Sequence, residues 1–335
     1  MLETLSIIFI AFGGFLLSLF LFHKKRRATE PFVCPLRGRC TEVIHSDYSR
    51  FLGVPVETIG LVYYAFVALG HGLVLGFPES LAWLDLPLLL AGTAAFLFSL
   101  YLTFIQVVAL RKLCTWCLLS ATFCTGIFFL STLAMVDVVV PFFLEYRSVI
   151  IVLHVLSMSL GLGAATLADI FFFRFLKDLR ISQEESDVLS TLSEVIWLSL
   201  GWVVLTGFAL YLPQAEHYLE VPKFLAKMVV VGVIIVNGAF LNLYIAPKLV
   251  KISFGERHHH KEGELGRARR MAFALGPISI ISWYSAFVLG SLPGSTPITF
   301  LTFLKIYVAL LIVGVAIGQF VENRLAHRDL PWTNP

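Results

Sequence analysis

The sequence predicts an all-α, polytopic membrane protein, a four-helix redox bundle followed by a five-helix membrane domain. Three observations carry this. The 335 residues are 58% hydrophobic and only 14% charged, with a mean hydropathy of +0.86, whereas in soluble domains roughly a quarter of residues are charged. Apolar runs of about 20 residues recur, each long enough to cross a hydrocarbon core as a helix. None shows barrel-like alternation, and a bilayer leaves helices as the alternative that satisfies every backbone group internally.

Nine runs are expected to span. The first, 2–22, is too long for a signal peptide and lacks the small-residue cleavage pattern, so it is read as a retained helix. The runs at 56–77, 86–109 and 113–134 complete the front half. The stretch "MVDVVVPFFLEYR" near 135–147 marks a shift in composition, and all five cysteines (34, 40, 114, 117 and 124) precede it. The domains are therefore expected at 1–146 and 147–335. The back half holds runs at 148–173, 191–212, 224–246, 272–292 and 300–321. Within it, "FLAKMVVVGVIIVNGAF" resembles "FLKIYVALLIVGVAIGQF", each after a Trp-containing apolar segment. Duplicated helical hairpins explain that likeness, and so does shared apolar composition.

Charge placement predicts orientation. In a nine-helix chain, all but four of the 25 Lys and Arg residues fall on one side. The exceptions are Arg147, Lys223, Lys227 and Lys305. Short basic loops stay cytoplasmic. The N-terminus is thus expected outside, with the loop 23–55 in the cytoplasm of a prokaryotic cell, the protein being multi-pass in its (inner) membrane. Basic loops explained by orientation need no nucleic acid.

That loop contains "VCPLRGRCTEVIHSDYS", and "CTWC" at 114–117 opens the fourth helix on the same side. A helix N-terminus favours thiolate, and C-x-x-C can close a reactive disulfide. Two couples facing each other are sufficient for passing a disulfide by thiol exchange. Two other readings remain open on spacing alone. Four sulfurs could clip a metal, although zinc knuckles use C-x2-4-C and the first pair is C-x5-C; or the cysteines could be a passive staple. Cys124 reads as a small buried hydrophobe.

The stretch "CPLRGRCTEVIHSDYSRFLGVPVETIGLVYY" with a helix-start "CTWC" resembles the vitamin K epoxide reductase family, and within it the prokaryotic quinone-linked disulfide-forming members. The elements are Cys34, Cys40, Ser46, Tyr48, Ser49, Gly53, Pro55, Gly60 and Tyr63 or Tyr64, over residues 1–134. The resemblance implies a quinone-dependent thiol oxidoreductase. Cys34 would be attacked by a reduced thioredoxin-like partner, Cys40 would attack Cys114, and Cys117 would pass electrons to a ubiquinone- or menaquinone-type quinone. Ser46 would hydrogen-bond a quinone carbonyl from a short half-helix. On this reading Cys34 and Cys40 are exposed and exchange-prone, and Arg37 and Arg39 favour the Cys40 thiolate. No metal is implied.

Three features depart from the family pattern. Relatives are often fused to a thioredoxin-like domain, and no further C-x-x-C occurs here, so the partner is expected to be separate. Family members usually face the outside, where disulfides persist, and the charge bias argues the reverse; cytosolic disulfides are rare except in hyperthermophiles. Five helices are appended. Among these, His154 is an intramembrane histidine, a functional candidate by default, and imidazole is a common haem ligand. With Lys227 and Lys305 it faintly resembles small haem-binding membrane families; a snorkelling lysine and a self-satisfied histidine are the plainer account. Asp169 is expected to cap or to pair with Arg174. "ERHHHKEGE" at 256–264 reads as a solvated loop rather than a metal tract. A competing function is a transporter or redox sensor whose cysteines regulate helices 5–9.

Overall fold

The computed structural model describes residues 2–26, 34, 39–175, 183–246, 264–293 and 296–326. Nine helices among the described residues are long and apolar enough to cross a membrane, and the one sheet is a two-residue-per-strand hairpin. The protein is an all-α, multi-pass membrane protein. Arg37, Lys177, Arg180 and the histidines of "ERHHHKEGE" lie outside the described residues. The chain forms two compact units, Met1–Leu144 and Glu145–Pro335.

The front unit is a ring of four long helices. α1 (Leu2–Arg26) is followed by a single-turn helix α2 (Cys40–Ile44). The hairpin β1 (Arg50–Phe51) and β2 (Val54–Pro55) pairs Phe51 with Val54. Its turn is Leu52–Gly53, both at positive φ, the geometry that lets two residues reverse a twisted hairpin. Then come α3 (Val56–Gly76), α4 (Asp85–Phe104) and α5 (Thr115–Ala134). α1 packs on α3 and α5, and α4 packs on α3 and α5. Ile7, Ala11, Tyr64, Val67, Cys124 and Ile127 form the core between them. Gly14 lets α1 close on α3, since a Cβ there would lie 2.3 Å from the Tyr64 ring.

The sequence suggests one helix through residue 109, but α4 gives way at Ile105–Ala109 to a π-turn. Widening the helix by one residue turns Gln106 and Val108 into the interior; such bulges recur at functional sites. A short helix, α6 (Val136–Glu145), occupies the stretch where composition shifts.

The back unit comprises α7 (Arg147–Phe175), α8 (Gln183–Tyr211), α9 (Pro222–Phe240), α10 (Glu264–Ser291) and α11 (Phe300–Ala326). α7 packs on α8 and α10, and α9 and α11 pack on α10. Met158, Ala165, Leu200, Val203, Val230 and Trp283 are among its core residues. Gly161 accommodates the Trp283 ring, which a Cβ would meet at 2.6 Å.

Candidate redox site

The C-terminal ends of α1 and α4 and the N-terminal ends of α3 and α5 meet at one end of the front bundle. The four sulfurs predicted from sequence gather there in two couples. Cys34 and Cys40 form a disulfide with Cα atoms 5.6 Å apart, within the normal span of such a bond. Cys114 and Cys117 are free thiols. Cys40, Val43 and Cys114 form one buried cluster, against which Cys34, Leu110, Trp116 and Cys117 pack.

The exposure expected of the first couple holds for only one member. Cys34 is partly open, whereas Cys40 is 1% exposed, because α2 turns it inward against Cys114. Arg39, expected to favour the Cys40 thiolate, stands at the N-cap of α2. Its side chain is 62% exposed and its guanidinium lies 3.9 Å from the Glu42 carboxylate, so solvent and Glu42 take up its charge.

Three contacts dock the first couple on the second. The Arg39 N–H donates to Leu113 O at 2.9 Å. Lys112 forms an ion pair with Glu42, and the Lys112 hydrogen bond holds the Glu42 carboxyl below its usual range. Cys34 Sγ lies 3.9 Å from Thr115 Oγ1. The Cys114 loop is fixed in turn by α4: Gln106 Oε1 accepts the Cys114 N–H at 2.9 Å, and Gln106 O accepts from Lys112 N at 2.9 Å. Between them Arg111 sits at φ 50°, a backbone region costly for a non-glycine residue.

Cys114 is the N-cap of α5. Its sulfur accepts the Cys117 thiol at 2.9 Å and the Cys117 N–H at 3.3 Å. The Cys117 thiol, followed by the backbone N–H groups of Cys117 and Trp116, lowers the Cys114 pKa against the opposing effect of burial. The helix-start cysteine is thus biased toward thiolate.

Behind Cys117 lies a cavity of about 580 Å³, lined mainly by apolar side chains such as Leu21, Ile59, Ala95, Phe98 and Leu102. That volume is in the range of small-molecule sites, roughly 300–1,000 Å³. Cys117 lines it and Cys114 does not, so the C-x-x-C motif presents one sulfur to the first couple and the other to the cavity. Ser46, Tyr48 and Ser49 line it too, but the Ser46 hydroxyl donates to Val43 O at 2.7 Å. Cys124 does more than fill space: it lines the cavity and lies 3.3 Å from the Tyr64 hydroxyl.

Several site residues escape a reading by motif. Glu57, at the cavity wall, pairs with Lys25 at 3.0 Å. Gln106 was legible as the one amide inside an apolar run, "LTFIQVVAL", although its partner was not. Tyr63 was within the family pattern without a role.

In the back unit, His154 Nδ1 is 2.9 Å from Thr206 Oγ1. Thr206 donates to Trp202 O at 2.5 Å, so the imidazole donates to Thr206 and keeps its lone pair on Nε2. Asp169 does not pair with Arg174. Five residues along a helix is about 140° around the axis, and Asp169 Oδ2 is buried without a hydrogen-bond partner among the described residues.

Two sulfur couples set in series at the mouth of an apolar cavity define a membrane-embedded redox unit. Residues 5–132 match the model of the Vitamin K epoxide reductase family, so the front unit contains a segment similar to that family of quinone-linked thiol oxidoreductases. The match stops short of the back unit. No curated protein and no solved structure matches the chain.

Proposed function

We propose that the front unit generates disulfides in a separate thioredoxin-like protein and passes the electrons to a membrane quinone. The observation that supports this best is the division of the C-x-x-C motif: Cys114 is buried with Cys40, while Cys117 lines the cavity. A thiolate of the partner attacks Cys34, breaking the Cys34–Cys40 bond and releasing Cys40. The partner's second thiol then displaces Cys34 and leaves oxidised. Cys40 attacks Cys114 of a Cys114–Cys117 disulfide, freeing Cys117. Cys34 next attacks Cys40, restoring their bond and expelling Cys114. A lowered Cys114 pKa makes it the better leaving group in that last exchange. The pair then stands as a dithiol beside a closed Cys34–Cys40 bond, the arrangement described above. A ubiquinone- or menaquinone-type quinone, when bound, accepts two electrons and two protons, and Cys114 and Cys117 return to a disulfide.

The cavity suits such a ligand, being apolar along its walls and polar near Ser46, Tyr63 and Cys117. The basic residues Lys25, Arg39, Arg50 and Lys112 lie at the cysteine end of the bundle, in keeping with a cytoplasmic active-site loop. The test is oxidation of a protein dithiol by the purified chain with and without a short-chain quinone. Cys114→Ser and Cys117→Ser should each abolish quinone-dependent turnover. Turnover that survives both substitutions means the relay is wrong.

A further inference from the structure

Several of the cavity's hydroxyls are spent on backbone carbonyls. Ser46 donates to Val43 O, Ser99 to Phe96 O at 2.9 Å and Thr103 to Ser99 O at 2.8 Å. Tyr64 donates to Ser120 O at 3.0 Å, and its ring, 1% exposed, is wedged against Gly14 as a strut between α1, α3 and α5. The next side chain back along α3 differs. Tyr63 lines the cavity, stands about 100° around the helix from Tyr64, and its hydroxyl is buried with no hydrogen-bond partner among the described residues. A buried donor left unmade is costly, and native structures keep few of them.

We infer that Tyr63 is the hydrogen-bond donor that holds a carbonyl oxygen of the quinone in this cavity, so that the ring is oriented with its other face toward Cys117. The inference rests on the quinone reading of the front unit and adds to it a ligand contact that the resemblance does not supply. The ligand class follows from the cavity: apolar walls accept a flat hydrocarbon ring, and a buried donor on one wall matches an oxygen at that ring's edge. Tyr63 acts by donating a hydrogen bond; it neither accepts electrons nor loses its proton. Ser46 reaches the same ligand as a donor only by giving up Val43 O, so its hydroxyl is the weaker determinant of affinity.

Two measurements on the full-length protein test this. Binding of menadione is compared with binding of 2-methylnaphthalene, which has the same fused rings without the carbonyl oxygens. The wild type should prefer menadione, and Tyr63→Phe should lose about tenfold in menadione affinity, the worth of one hydrogen bond in a dry site, with 2-methylnaphthalene unchanged. In turnover, Tyr63→Phe should raise the KM for menadione about as much, with kcat close to that of the wild type. Equal menadione affinity in wild type and Tyr63→Phe overturns the inference, as does an equal loss for both ligands. A wild-type protein that binds menadione but turns over none of it refutes the quinone-linked function and leaves the Tyr63 contact standing.

Discussion

Gln106 Oε1 accepts the backbone N–H of Cys114 at 2.9 Å, so a π-turn at the end of one helix sets the position of the sulfur that caps another. The amide of a buried loop would otherwise go unmet, at a cost of about 1–3 kcal/mol. Gln106→Leu should therefore loosen the Cys114 loop and slow dithiol oxidation about tenfold, since relay between sulfurs depends on their alignment. Gln106→Glu keeps an acceptor and should retain most of the rate. Equal rates in Gln106→Leu and wild type would show that the amide only fills space.

The order of sulfurs predicts a trapped species. Cys117→Ser leaves Cys114 without its inner partner; the Cys114 thiolate then attacks Cys40 of the outer disulfide and expels Cys34, so a Cys40–Cys114 crosslink should accumulate. Peptide mass spectrometry without reduction should find the two segments joined. If they are separate while dithiol oxidation proceeds, the Cys34–Cys40 bond is a staple.

Cys114 should titrate low. An ordinary cysteine ionises near pH ~8.5, and the Cys117 thiol, the first of the causes acting on Cys114, lowers its pKa. A depressed value means that thiolate persists as pH falls below the ordinary range. In a Cys34→Ser/Cys40→Ser/Cys124→Ala background, thiolate absorbance near 240 nm should rise with a midpoint below that range. Cys117→Ala, which removes the main donor, should move the Cys114 midpoint up. A midpoint indifferent to Cys117→Ala would discount the sulfur–sulfur hydrogen bond.

Orientation can be read at Cys34, the more open member of its couple. In reduced, intact cells an impermeant maleimide should miss it; in inverted vesicles it should label readily. Labelling from outside would reverse the topology and make extracytoplasmic thiols the substrates.

Gly14 should tolerate no side chain. Its Cβ would sit 2.3 Å from the Tyr64 ring, and over-packing of this kind costs roughly 1–3 kcal/mol. Gly14→Ala should lower the melting temperature in detergent, whereas Gly72→Ala, where nothing lies within 4 Å, should not. Equal melting would show that α1 and α3 can part freely.

Much of this architecture is legible in sequence because lipid enforces a simple rule: an uncharged run of sufficient length spans. The helix-start C-x-x-C is legible too, since residue type and position coincide at Cys114. The burial of Cys40 is not, because it depends on α2 rotating inward under the Arg39–Leu113 and Lys112–Glu42 contacts, between residues far apart in the chain. Gln106 faces the interior because of a one-residue widening of α4 that no periodicity announces. Tyr63 and Tyr64 are identical letters side by side and both line the cavity, and helical rotation alone wedges Tyr64 against Gly14 while the Tyr63 hydroxyl is buried without a partner among the described residues.

The unequal exposure of Cys34 and Cys40 makes the outer disulfide one-sided. A soluble reductant meets Cys34 first, and Cys40 and Cys114 are sealed behind it. In the proposed relay, a thiol from solvent therefore reaches the inner pair only by opening the outer bond at Cys34. Packing around one cysteine thus acts as insulation for the inner pair, leaving Cys34 as the point of entry from solvent.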